Sequence, residues 1–158
     1  MIGYARSEDG GEAPINLGAF DVEDVKICSA MVQDAVLPVT EIKWYPKHCR
    51  LGLLLNRLRW EGHWKAKWQG REIERVQSLL LFEYVFAVAS HGFDRKQHDL
   101  VLCVLSLDVD LAKKDVNFIL TLAGGGAIKV TSEAIEITLK DVSRPYLATS
   151  GTAPRHPD

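Results

Sequence analysis

Between Leu58 and Gln77 the chain reads LRWEGHWKAKWQGREIERVQ, and Trp60, Trp64 and Trp68 recur at every fourth position. On a helix that spacing would put the three indoles in one stripe. Arg59, Lys65, Lys67, Arg71 and Arg75 interleave with them, and Arg57 stands just before. Flat aromatic faces set between cations can stack bases and neutralise a phosphate backbone. They serve equally at a protein interface or a self-interface, where Trp and Arg dominate binding energy. A structural use competes with both: the tryptophans fold back over an open sheet edge and the charges face water. Glu61, Glu72 and Glu74 dilute the basic character, which ranks nucleic acid below a protein partner or self-association. The candidate binding residues are therefore Arg57, Arg59, Trp60, Trp64, Lys65, Lys67, Trp68 and Arg71, with no catalytic and no metal residue assigned.

Other chemistry-bearing residues are weaker candidates. His91, His98 and Cys103 are ligand types, as are His48 and Cys49, but their spacing matches no zinc knuckle or H-E-x-x-H pattern. Asp108 and Asp110 share a strand face, and with Asp34 they form the alternative reading, a small enzyme with carboxylate acid/base residues in one cleft. Ser90 and His91 are adjacent, so on a strand their side chains diverge. Gln33 and Asp34 end the first helix, where an acid opposes the helix dipole, and Arg57 or Arg59 would compensate it. In LTLAGGGAIKVT the residues after Gly124–Gly126 alternate Ile128, Lys129, Val130, Thr131 as a strand does, so the glycines make a hairpin and not a phosphate loop. No cofactor is implied.

At 158 residues the chain is long enough for one well-cored domain. A formal net charge of −2 excludes global recruitment by nucleic acid or membrane, so such a role would need a local patch. Three scattered cysteines without a C-x-x-C point to reduced thiols and a cytoplasmic location. The longest apolar run, Leu79–Ala89, contains Glu83 and falls short of the ~20 residues a bilayer span requires. Residues 1–14 read as a disordered extension, 15–145 as a single domain, and 146–158 as a flexible tail.

These residues must be positioned by strands. Phe20-Asp21 and Phe93-Asp94 both resemble a helix N-cap preceded by a staple residue, with Asp24 and Gln97 as the polar partners. Val22, Val25, Cys28, Val32 and Ala35 keep helical spacing after the first cap, which makes Cys28 a buried thiol. The following strands match between the halves: Val36–Trp44 with Val101–Val109, Arg50–Arg57 with Asp115–Leu122, Ser78–Phe82 with Ala127–Thr131, and Val85–Ser90 with Ala134–Leu139. Leu51, Leu53 and Leu55 then correspond to Val116, Phe118 and Leu120, and Leu81 to Val130. The expected fold is α+β, mostly antiparallel, with two related helix-plus-four-strand meanders at residues 20–90 and 93–142 packed as one domain. The segment 58–77 is an insertion in the first half, where the second has only Ala123–Gly126, and loops carry function more often than strands do.

Gln33–Ala35 (QDA), Leu53–Gly62 (LLLNRLRWEG), Ala123–Ile128 (AGGGAI) and the PRHPD ending resemble DUF2948, an alphaproteobacterial family of unknown function. The resemblance runs from Ile15 onward and implies a small cytoplasmic bacterial protein. It carries no catalytic or binding residue across. The functional expectation is a small, non-enzymatic cytoplasmic binding or protein-interaction module working through 58–77. The alternatives are the carboxylate enzyme and an RNA- or phosphate-binding protein.

Overall fold

In the computed structural model, which describes residues 13–62 and 73–147, Asp21 starts the one long helix among those residues, α1 (Val22–Val32). Its Oδ1 accepts the Asp24 N–H at 2.8 Å, and the Asp24 carboxylate in turn accepts the Phe20 N–H at 3.0 Å. These bonds satisfy donors that a helix start leaves free. Phe20 itself is 64% exposed, so it does not act as a staple. Val25, Cys28 and Val32 form the buried face, and Ser29 Oγ accepts the Leu107 N–H at 2.9 Å, tying the helix to the sheet.

The sheet is built from β1 (Asn16–Ala19), β2 (Val36–Pro38), β3 (Ile42–Tyr45), β4 (Arg50–Leu58), β5 (Glu74–Phe82), β6 (Val85–His91), β7 (Val101–Asp110), β8 (Val116–Leu122), β9 (Ala127–Ser132), β10 (Ile137–Asp141) and β11 (Tyr146–Leu147). All its pairings are antiparallel, in the order β1-β10-β5-β4-β2-β7-β8-β9-β6, with β3 on β4 and β11 on β5. The fold is thus one helix with a predominantly antiparallel sheet. Period-two alternation buries Leu51, Leu53 and Leu55 on β4, Leu80 and Phe82 on β5, and Val116, Phe118 and Leu120 on β8. The rings of Phe82 and Phe118 meet at 5.3 Å in the core.

Three features differ from the sequence expectation. Residues after Asp94 form turns and no helix: Lys96 N–H bonds Asp94 Oδ1, and Gln97 N–H bonds the Asp94 carbonyl. Arg95, Lys96, Gln97, His98 and Asp99 are all exposed, so no apolar face exists there to dock a helix. The four-strand meanders also break at their last strand. β4 pairs with β5 and β8 with β9, but β6 then crosses to β9 and β10 crosses to β5. Finally, Tyr146–Leu147 pair with Arg75 and Glu74, so the ordered chain runs past 145; residues 1–12 and 148–158, expected to be unstructured, lie outside the described residues.

The glycine-rich stretch is a hairpin joining β8 to β9, with Gly124 at φ +82° and Gly125 at +88°, backbone that side chains disfavour. No helix among the described residues is long and apolar enough to cross a membrane.

Candidate functional site

The period-two phase of β4 does not stop at Leu55. Arg57 and Arg59 continue it inward, and both are buried, at 0% and 1% exposure. On β10, Asp141 follows Ile137 and Leu139 in the same phase; on β5, Ser78 precedes Leu80 and Phe82. Strand pairing places Ser78 opposite both Leu55 and Asp141, so three polar side chains converge under the sheet at the root of segment 58–77.

There Arg57 uses every N–H of its guanidinium. Nε donates to Ser78 Oγ at 2.9 Å and Asp141 Oδ1 at 3.2 Å. Nη1 donates to the Leu58 carbonyl at 3.1 Å and Glu61 Oε1 at 2.9 Å. Nη2 donates to Glu61 Oε2 and Asp141 Oδ1, each at 2.9 Å. Asp141 also accepts the Ser78 hydroxyl at 2.6 Å and the Ile15 N–H at 2.9 Å. Burial alone would lower the pKa of Arg57, but hydrogen bonding and charge from Glu61, then from Asp141, outweigh it and raise it above the ordinary value. The group therefore stays charged inside the protein, and its role is to join β4, β5, β10 and the first turn of the segment.

Arg59 is less completely held. Nη1 meets Glu74 Oε1 at 2.6 Å, and Nε lies 3.6 Å from Glu61 Oε2, while Nε and Nη2 are buried without a hydrogen bond. The backbone closes beside it, with Arg59 N–H donating to the Glu74 carbonyl at 2.8 Å and Leu58 paired with Arg75. Trp60 is half-buried, and its indole N–H donates to the Gln33 carbonyl at the end of α1, 2.9 Å away. Trp60 thereby ties the helix end to the strand it follows.

Of the expected binding residues, then, Arg57 and Arg59 are interior ion-pair residues and Trp60 joins the segment to the helix. Trp64, Lys65, Lys67, Trp68 and Arg71 lie outside the described residues. The arginines' position was legible in the continued alternation from Leu51 to Arg59; the local density of Trp and Arg drew attention away from it.

The carboxylates of the enzyme reading do not converge. Asp34 is buried at φ +65°, its N–H bonding the Val104 carbonyl, whereas Asp108 and Asp110 are exposed on the far half of β7. Four to six residues of strand, at ~3.4 Å each, separate them from Val104. Asp110 Oδ1 is engaged by the Ala112 N–H and Asp108 Oδ2 by the Ser106 hydroxyl. Among the described residues no three His, Cys, Asp or Glu side chains gather where they could hold a metal ion.

Residues 15–156 match a family described as "Protein of unknown function (DUF2948)". Comparison with curated proteins and with solved structures gives no match.

Proposed function

This chain belongs to the DUF2948 family, and we propose that it is a cytoplasmic, non-enzymatic interaction module that presents segment 58–77 to a protein partner or to a second copy of itself. The observation that carries the reading is the fully bonded, fully buried Arg57, which fixes the root of the segment from three directions. Buried ion pairs contribute little net stability compared with apolar packing, so their use is better explained by the geometry they impose. The same bonds change the charge balance. Glu61 and Glu74 are engaged by Arg57 and Arg59, leaving Glu72 as the other acid among residues 58–77 against Lys65, Lys67 and Arg71. A fixed root followed in sequence by Trp64, Trp68 and three basic residues suits a protein hot spot with an acidic rim.

The test compares Trp64→Ala/Trp68→Ala with Lys65→Ala/Lys67→Ala/Arg71→Ala. Loss of self-association in sedimentation, or of a partner identified with the wild-type protein, should follow the Trp changes and depend weakly on salt. Steep salt dependence, falling with each cation removed, would instead identify nucleic acid. If both variants keep every interaction while the Trp changes unfold the chain, the segment is a core-covering flap.

We also infer that residues 20–90 and 93–142 are related halves. Support comes from Leu53 facing Leu80 as Phe118 faces Val130, which aligns Leu80, and not Leu81, with Val130. Further support is the reciprocity of the two turns: Glu83 N–H bonds the Glu136 carbonyl and Glu133 N–H bonds the Tyr84 carbonyl, both at 3.0 Å. Aligned sequences of relatives should show the two halves resembling each other above shuffled controls; no excess would refute the duplication.

A further inference from the structure

Four strands of the sheet, β1, β3, β6 and β11, pair on one side only among the described residues, and two of them lie together. β3 bonds to β4 and β6 to β9, and the outer edge of β6 is used once, where Val85 N–H donates to the Cys49 carbonyl at 2.8 Å. Both strands line one open cleft of about 750 Å³, a size typical of ligand sites. Its apolar lining comes from Val39, Ile42, Trp44, Val88 and Phe93, with Val39 buried and the others half-buried. Its exposed rim carries Lys43, Arg95, Lys96 and His98 against one carboxylate, Asp94. That carboxylate is already engaged by the Lys96 N–H at 2.9 Å.

The loop bearing Arg95, Lys96 and His98 is backed by the glycine hairpin. Gly92 sits at φ +84°, and a Cβ there would meet the Gly125 carbonyl oxygen and Gly126 Cα at 2.7 Å. A Cβ on Gly126 would in turn press on the Phe93 ring at 3.3 Å. The rim is thus held at a fixed place beside the strand edges.

Free edges are normally blunted by charge, proline or shortness. β6 is seven residues, VFAVASH, with no Lys, Arg, Asp, Glu or Pro, and its bulge between Val85 and Ala87 leaves Ala87–His91 in regular pairing. Such an edge is a template for an added strand. In an added strand alternate side chains face opposite ways. An apolar residue would settle on the Trp44 and Phe93 side while its neighbours meet the cationic rim.

We propose that this cleft accepts an extended acidic peptide segment of a partner protein, with alternating apolar and carboxylate side chains, adding as a strand along β6. A small anion would satisfy the rim but would leave the strand edge unexplained. Among the described residues, none that lines this cleft belongs to segment 58–77.

The test is fluorescence anisotropy with a labelled Glu-Val-Glu-Leu-Glu-Val-Glu peptide and the full chain, with amide chemical shifts as the map. The peptide should bind at least about tenfold more tightly than its Lys-for-Glu counterpart and shift the amides of Ala87–His91. Arg95→Glu/Lys96→Glu, at exposed positions, should weaken it about tenfold or more without changing the amide spectrum elsewhere. N-methylation of alternate peptide residues, which keeps charge but blocks pairing, should do the same in one of its two phases. Trp64→Ala/Trp68→Ala should leave this binding intact. The proposal is overturned by no binding up to about 1 mM, by indifference to Arg95→Glu/Lys96→Glu or to both methylated forms, or by displacement with adenosine monophosphate at lower concentration than the unlabelled peptide.

Discussion

Replacing Arg57 with Met tests whether the buried cluster governs this part of the fold. The change removes a cation whose donors reach Ser78, Leu58, Glu61 and Asp141. Asp141, with its side chain 2% exposed, keeps the Ser78 hydroxyl and the Ile15 N–H but has lost its counter-ion. Stranding one member of a buried pair costs about 3–5 kcal/mol, a large fraction of the ~5–15 kcal/mol that holds an ordinary domain. Removing the group together, as Arg57→Met/Ser78→Ala/Asp141→Leu, takes out both charges of the buried pair, leaves Glu61 21% exposed and 3.6 Å from Arg59, and should come within about 1–2 kcal/mol of wild type. Urea denaturation followed by tryptophan fluorescence measures both costs. A single-variant cost below about 1 kcal/mol, or a triple variant less stable than the single, would refute the reasoning.

Arg59→Met should cost less than Arg57→Met, under about 1.5 kcal/mol, because it makes one side-chain hydrogen bond and leaves Glu74 35% exposed to water; the same urea series checks the order. Gly92→Ala should lower Tm more than Gly125→Ala. Both replace a positive-φ glycine, at about 1–2 kcal/mol, but the first Cβ also strikes backbone at 2.7 Å while the second meets nothing within 4 Å. Burial, then the charge of Asp24, pushes the Cys28 thiol up to about 11 from 9.0. The stability it contributes is complete below pH 9 and is lost through pH 11, by roughly 2–3 kcal/mol. Cys28→Ala, although less stable at neutral pH, should lack that slope, and iodoacetamide should label the exposed Cys49 before Cys28.

Alternation told which side chains face inward, and it did so well enough to identify Leu51, Leu53, Leu55, Phe118 and Leu120 as core. It says nothing about which strand lies alongside, so the crossing of β6 to β9 and of β10 to β5 was invisible. The capping residues at Asp94 promised a helix, but capping chemistry also makes turns, and without an apolar stripe the turn wins. At the root of segment 58–77 the inward position of the arginines was legible, but their bonding partners were not. Arg57 and Arg59 belong to the strand pattern, and their partners Ser78 and Asp141 lie 21 and 84 residues along the chain from Arg57. The cleft beside β6 was not legible, because it arises from the crossing itself.

The exchanged last strands have a consequence for synthesis. β5 emerges from the ribosome with its LLLF stretch, yet its partner β10 pairs Ile137 with Phe82, so one edge stays uncovered until more than fifty further residues are made. β6 likewise waits for β9. Neither of these strands can gain its partner early, so part of the sheet waits for contacts of long sequence separation, the kind that form slowly. During that interval the nascent chain presents an apolar strand edge of the kind that pairs with neighbours.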